Sequence, residues 1–254
     1  MRIKGFTLAE VLITLGVIGV VAAITMPTLI SAYRQKVTAT KLKQTYSILS
    51  TALNAGETEY GLPFGYAYER DKCQQNDAWC RNDMLYKDFI KPYVSNAREV
   101  NSGTCWGTGS AGCPSIKNNH AMTHFGKYVT FANGTSILIY GARIAVITDS
   151  LSFNSKKPLE LVPGKNYFNL GPAVGTCDGE PCISTIPHVL APFHQVNLPS
   201  YWLQSGNYRG KYTDEQMREN CINKSKELQE MAAFCTQIYL ENNFTFPKNY
   251  PVRF

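Results

Sequence analysis

The sequence predicts an α+β protein: a long N-terminal membrane-spanning helix packed on a small antiparallel β-sheet head with a C-terminal helix, stapled by disulfides. Three observations predict it. From Val11 to Tyr33 there is no charged residue, and at about 1.5 Å per helical residue this run crosses a bilayer core of about 30 Å. Strand-like runs near residues 128–148 flank Asn133-Gly134, a turn dipeptide that favours hairpins. Eight cysteines stand at 73, 80, 105, 113, 177, 182, 221 and 235. With no C-x-x-C pair among them they suit disulfides in an oxidising compartment better than zinc.

The totals narrow the class. A hydrophobic fraction of 44% with only 17% charged residues fits a chain that buries a core and argues against disorder. The net charge of +6 is mild and scattered, so nothing singles out a nucleic-acid partner.

The N-terminus is the most informative segment. A short basic leader, Met1-Arg2-Ile3-Lys4-Gly5, is followed by Phe6-Thr7-Leu8-Ala9 and then by an acid, Glu10, at the edge of the apolar run. A plain anchor has no use for that carboxylate, because an ionisable group beside a membrane core is costly and needs a partner or a task. The run KGFTLAEVLITLGVIGVVAAITMPTLI resembles the cleavage and methylation motif of type IV pilins and type II secretion pseudopilins. That resemblance implies cutting after Gly5 by a prepilin peptidase, N-methylation of Phe6, an assembly role for Glu10 and a helix bend at Pro27. It implies a leader at 1–5, a transmembrane and spine helix at 6–60 and a periplasmic or extracellular head at 61–254. The implied partners are other pilin-like subunits, the peptidase, an inner-membrane assembly platform and, before assembly, the lipid membrane. The implied location is the bacterial inner membrane, single-pass with the head outside the cytoplasm, and then a pilus or pseudopilus.

Two plainer readings compete. A secretory signal peptide would use Arg2 and Lys4 as its basic region and cleave before Ile24, releasing a secreted disulfide-rich domain; Glu10 fits it poorly. A simple single-span anchor meets an awkward charge bias, since Arg34, Lys36, Lys41 and Lys43 outnumber Arg2 and Lys4 and favour the opposite orientation. The cysteines and the motif outweigh that bias.

Beyond Pro27, Ile30, Tyr33, Val37, Leu42, Tyr46, Leu49, Leu53 and Tyr60 recur mostly at helical steps, so one helix runs from the membrane into the head, ending near Gly56, Gly61 and Pro63. Asn82 or Asp83 is placed to cap a short helix, MLYKDFIKPYV. Gly103 to Pro114 reads as a loop containing Cys105 and Cys113. Strands are expected at 128–132, 135–140 and 143–148. From Ser152 to Gly210 the prolines leave no clear element. Thr213-Asp214-Glu215-Gln216 is a capping box, with Tyr212 and Met217 as a hydrophobic staple. The helix it opens is expected to carry Met217, Cys221, Leu228, Met231, Ala232, Cys235 and Ile238 on one face, with an extended C-terminal strap after it. On one unbroken helix Cys221 and Cys235 stand about 21 Å apart, against a limit of about 7 Å between bridged α-carbons. They are therefore expected not to bond to each other. With that helix intact and all eight paired, 73 with 80, 105 with 113 and 177 with 182 cannot all form.

Catalytic chemistry finds no foothold. There is no G-x-S-x-G or H-E-x-x-H pattern, and the four histidines are a thin supply of general bases. His120 and His124 have an i, i+4 spacing but no evident third ligand. No catalytic residue, cofactor or metal site is assigned. The reading is a structural filament subunit. Its competitor is a filament-tip binding module for DNA, a surface or an exported substrate, in which Lys117, Lys127, Lys156, Lys157, Lys165, Arg209 and Lys211 form the DNA-binding patch.

Overall fold

A computed structural model describes residues 7–60, 78–100, 105, 112–117, 126–140, 143–172, 175–177, 180–182, 190–191 and 212–254. Helix α1 (Leu8–Tyr60) runs 53 residues without a break, with Pro27 inside it. Proline lacks the amide that would donate one turn back. Nearby, the Thr25 hydroxyl donates to the Val21 carbonyl at 2.9 Å and the Thr28 hydroxyl to the Thr25 carbonyl at 2.8 Å.

The two halves of α1 live in different surroundings. From Leu8 to Tyr33 its large apolar side chains are exposed, whereas Leu42, Leu49, Ala52 and Leu53 are buried. The predicted stripe therefore packs only in its C-terminal part, and Ile30 and Tyr33 face outward. Gly56 does not stop the helix. It is buried against Phe89, whose Cδ1 would lie 2.7 Å from a β-carbon placed there, so the glycine permits a close approach.

The second helical segment differs from the expected short helix capped at Asn82 or Asp83. Helix α2 (Ala78–Met84) starts earlier and passes into a π-helical turn, Leu85–Ile90, and a 3-10 turn, Lys91–Tyr93. Asn82 is buried inside it, and Asp83 ion-pairs instead of capping. The wider π turn brings Leu85, Tyr86, Phe89 and Ile90 all into the core.

The main sheet has six strands in the order β1-β2-β3-β4-β5-β8, all neighbours antiparallel. They are β1 (Arg98–Glu99), β2 (Lys127–Thr130), β3 (Ser136–Tyr140), β4 (Arg143–Ile147), β5 (Tyr167–Pro172) and β8 (Leu190–Ala191); β6 (Gly175–Cys177) and β7 (Glu180–Cys182) form a separate hairpin. The period of two sorts the side chains. Val129, Ile137, Ile139, Ile144, Val146, Phe168 and Leu170 meet α1 and the π turn in one core. Tyr128, Leu138, Ala145, Ile147 and Tyr167 form a second core with Cys105, Cys113, Ile116 and Leu161. Burying one such aliphatic or aromatic side chain stabilises by roughly 1.5–3 kcal/mol, so two filled faces account for the sheet's rigidity.

The β2–β3 connection spans Phe131 to Thr135, with Phe131 N donating to Thr135 O at 2.8 Å. Only Gly134 of the dipeptide takes a positive φ, 76°. Asn133 contributes through its side chain, accepting from Thr135 N at 3.0 Å.

Strand β5 lies in the proline-rich stretch where the sequence shows no clear element. Its residues look irregular, yet Phe168 and Leu170 fill one face and Tyr167 the other. Its outer edge is covered, as exposed edges require: Asn169 N donates to the Thr236 hydroxyl at 3.1 Å. That threonine belongs to the last helix.

The C-terminal helix is two helices, α3 (Asp214–Ile222) and α4 (Leu228–Glu241). The capping box at Thr213 and Gln216 forms as expected. The break lies at Asn223, whose side-chain oxygen accepts from Ser225 N at 3.0 Å and from the Ser225 hydroxyl at 2.7 Å. Such local bonding competes with helix continuation. Folding α4 back on α3 brings the α-carbons of Cys221 and Cys235 to 4.9 Å and joins them in a disulfide. This overturns the expectation that they cannot bond, because its premise of an unbroken helix fails. The restriction on the other pairs falls with it.

Cys105 bonds to Cys113, and Cys80 is also disulfide-bonded. Cys73 lies outside the described residues. The backbones of Cys177 and Cys182 sit on β6 and β7. Closing a loop over 14 residues stabilises by about 2–3 kcal/mol. Replacing Cys221 and Cys235 together by Ser should lower the urea midpoint accordingly, with α3 released before the sheet melts.

The terminal strap is not extended. Asn243 and Phe244 adopt left-handed φ values of 53° and 60°. They turn the chain back so that Phe246, Tyr250 and Phe254 stack in succession, with ring centroids 4.6 and 4.9 Å from Phe246. Phe244 reaches the spine, 4.9 Å from the Tyr46 ring, and the Tyr239 hydroxyl donates to Ala39 O at 2.7 Å.

Candidate assembly site

Helix α1 begins with a reciprocal cap. Glu10 N donates to the Thr7 hydroxyl oxygen at 3.3 Å, while Thr7 N and the Thr7 hydroxyl donate to Glu10 Oε2 at 2.8 and 2.9 Å. Thr7 is thus the N-cap and Glu10 the third helical residue. Two otherwise unpaired backbone donors are satisfied, and the carboxylate sits at the positive end of the helix dipole. Only Oε2 is engaged; Oε1 has no partner among the described residues. Glu10 was expected either to serve an adjacent subunit or to bond the free backbone donors of its own helix start, and within the subunit it does the latter. Gly5 and Phe6 lie outside the described residues.

Behind this cap stands a cylinder of exposed apolar residues, including Leu12, Leu15, Val17, Ile18, Val21 and Ile24, each at least half exposed. The hydrophobic effect requires such a surface to be covered by lipid or by other helices. Its length and composition allow it to cross a membrane. Pro27 is part of this exposed cylinder, four residues before Ser31, where the helix becomes partly buried as it nears the head.

Two of the basic side chains in the candidate DNA-binding patch are engaged by carboxylates. Lys127 is only 1% exposed and is held between Asp83 Oδ1 at 2.5 Å and Glu99 Oε1 at 2.7 Å. Lys117 pairs with Glu160 at 2.9 Å. Arg209, Lys211, His120 and His124 lie outside the described residues. Among the described residues, no group of three or more His, Cys, Asp or Glu side chains is placed to hold a metal ion.

An apolar helix with a capped start, long enough to cross a membrane, thus carries a disulfide-stapled α+β head. Residues 1–26 match the prokaryotic N-terminal methylation motif, so the N-terminal segment is of the type IV pilin and pseudopilin kind. Residues 28–104 match a family of unknown function, DUF6613; this stretch takes in the rest of α1, the π turn and β1. No curated protein and no solved structure matches the chain.

Proposed function

We propose that the chain is a structural subunit, a pilin or pseudopilin, of a type IV pilus-like or type II secretion filament. The observation that carries this reading is the methylation motif at residues 1–26 continuing into a helix whose apolar half has no partner within the subunit among the described residues. In this reading prepilin peptidase removes residues 1–5, Phe6 becomes the methylated N-terminus, and 6–60 is stored in the inner membrane. The head, 61–254, stands outside the cytoplasm until the assembly platform moves the subunit into the filament. Pro27 supplies a bend within the transferred half. Apolar surface stays out of water in both states, first against lipid and then against neighbouring helices.

Glu10 sets the register in this mechanism. The new amine of Phe6 is a cation entering an apolar core, where an unpaired charge is unstable. Because the cap occupies Oε2 alone, Oε1 remains to accept the amine of an adjacent subunit without uncapping the helix. Glu10→Val is expected to be cleaved and to accumulate in the membrane yet be missing from sheared filaments. Normal incorporation would remove Glu10 from the mechanism while leaving the subunit assignment standing. N-terminal sequencing of mature protein tests the assignment itself: Phe6 is expected, and a start at Ile24 would establish a signal peptide instead.

A further inference from the structure

The head holds a cavity lined by none of the residues assigned to assembly. It has a volume of about 500 Å³ and lies where α3, α4 and the C-terminal strap meet, within the range of about 300–1,000 Å³ usual for small-molecule sites. Three features hold it in shape. The Cys221–Cys235 disulfide ties α3 to α4, the Thr213 cap fixes the start of α3, and the turn at Asn243 and Phe244 swings Pro247 and Asn249 over the opening as a third wall. A left-handed φ at a residue as bulky as Phe244 is an outlier, and such strain concentrates at ligand clamps.

Met217 and Ile238 border the cavity but are only 3% and 5% exposed, with Tyr212 beside them, so its accessible lining is mostly polar. Asp214 and Arg218 also line it, one helical turn apart on α3. Acid before base at i, i+4 is the order that favours pairing. Yet neither side chain makes a hydrogen bond or an ion pair among the described residues, and neither does that of Asn249. The remaining carboxylate, Glu241, is already engaged by Gln237 Nε2 at 2.6 Å. One cavity thus presents an unengaged anion and an unengaged cation.

We propose that this cavity binds a small zwitterion of the α-amino acid class. Asp214 takes the ammonium, Arg218 takes the carboxylate through its planar fork, and Asn249 supplies a further polar contact. The site stands apart from the assembly reading, so Glu10→Val is expected to bind the same ligand as the unaltered chain.

The test uses the full chain in detergent and three probes of matched shape: L-leucine, L-leucinamide, which lacks the carboxylate, and isocaproate, which lacks the ammonium. Calorimetry is expected to give saturable leucine binding, with each of the other two weaker by about tenfold, as befits loss of a charge-assisted contact. Arg218→Gln should erase the preference over leucinamide, and Asp214→Asn the preference over isocaproate. Asp214 is exposed and Arg218 half-buried, and neither lies in the core, so the variants should fold, which unchanged melting would establish. Absence of saturable leucine binding, equal binding of the three probes, or preferences unmoved by the two variants would each overturn the proposal.

Discussion

Lys127→Met should lower the stability of the head by about 3 kcal/mol, or the melting temperature by about 6–12 °C. Lys127 is buried under the Tyr86 ring, 5.0 Å from its centroid, and its single charge answers two carboxylates. Methionine fills much of the same volume but removes the cation between the two carboxylates, leaving Asp83 only Lys87 and Glu99 without Lys127. The loss falls at the lower end of the range for broken buried pairs because these carboxylates remain 27% and 29% exposed. A triple variant, Lys127→Met with Asp83→Asn and Glu99→Gln, should recover most of it, since no uncompensated charge remains. Recovery in thermal melts would separate electrostatics from packing.

The same cluster fixes a pH dependence. Burial alone raises the Asp83 carboxyl, but hydrogen bonds and charge from Lys127 and Lys87 outweigh it and hold the group below the usual carboxylate range. A depressed folded value means that the contribution is complete above the unfolded value of about 3.9 and disappears as pH falls through the folded one. Acid should therefore destabilise the unaltered head more than the triple variant. Parallel melting curves at neutral and acidic pH would contradict this.

Gly164→Ala is expected to be the most damaging small substitution, at about 4 kcal/mol from overpacking together with a disfavoured backbone. Gly164 has φ +72°, and a β-carbon there would lie 2.5 Å from Tyr250 Oη and 2.7 Å from Cys235 Sγ. Neither neighbour can retreat: the Tyr250 hydroxyl donates to Gly164 O at 3.0 Å, and Cys235 is tied to Cys221. Gly134→Ala is the control, because φ is +76° there but the nearest atom, Lys41 Nζ, is 3.9 Å away. It should cost only about 1 kcal/mol. Equal losses in urea titrations would show that backbone conformation, not crowding by the disulfide, sets the penalty at Gly164.

Local and periodic features were legible in the sequence. The uncharged run, the acid at its edge, the Thr213 capping box and the turn at Gly134 each depend on neighbours within a few residues, so their physics is complete before the chain folds. The α+β class came from them, and so did the pilin-like N-terminus, whose motif lies within residues 1–26.

Other features depended on distant partners. Strand β5 is a strand because β4 and Thr236 complete its hydrogen bonds, and no local alternation announces that. Asn82 or Asp83 was expected to cap a helix, but Asn82 is buried and Asp83 pairs with Lys127, 44 positions further along the chain. The Cys221–Cys235 bond required a break in the helix that the apolar periodicity ran straight through. Asn223 could be read as a turn former or as a helical residue, and only packing α4 against β5 and α3 decides between them. The same folding back brings Asp214, Arg218 and the strap around one cavity. Sequence alone thus determined where the chain is apolar, capped or turned. Tertiary structure decided which charges meet and which sulfurs bond, because those energies arise only once segments far apart in the chain exclude water between them.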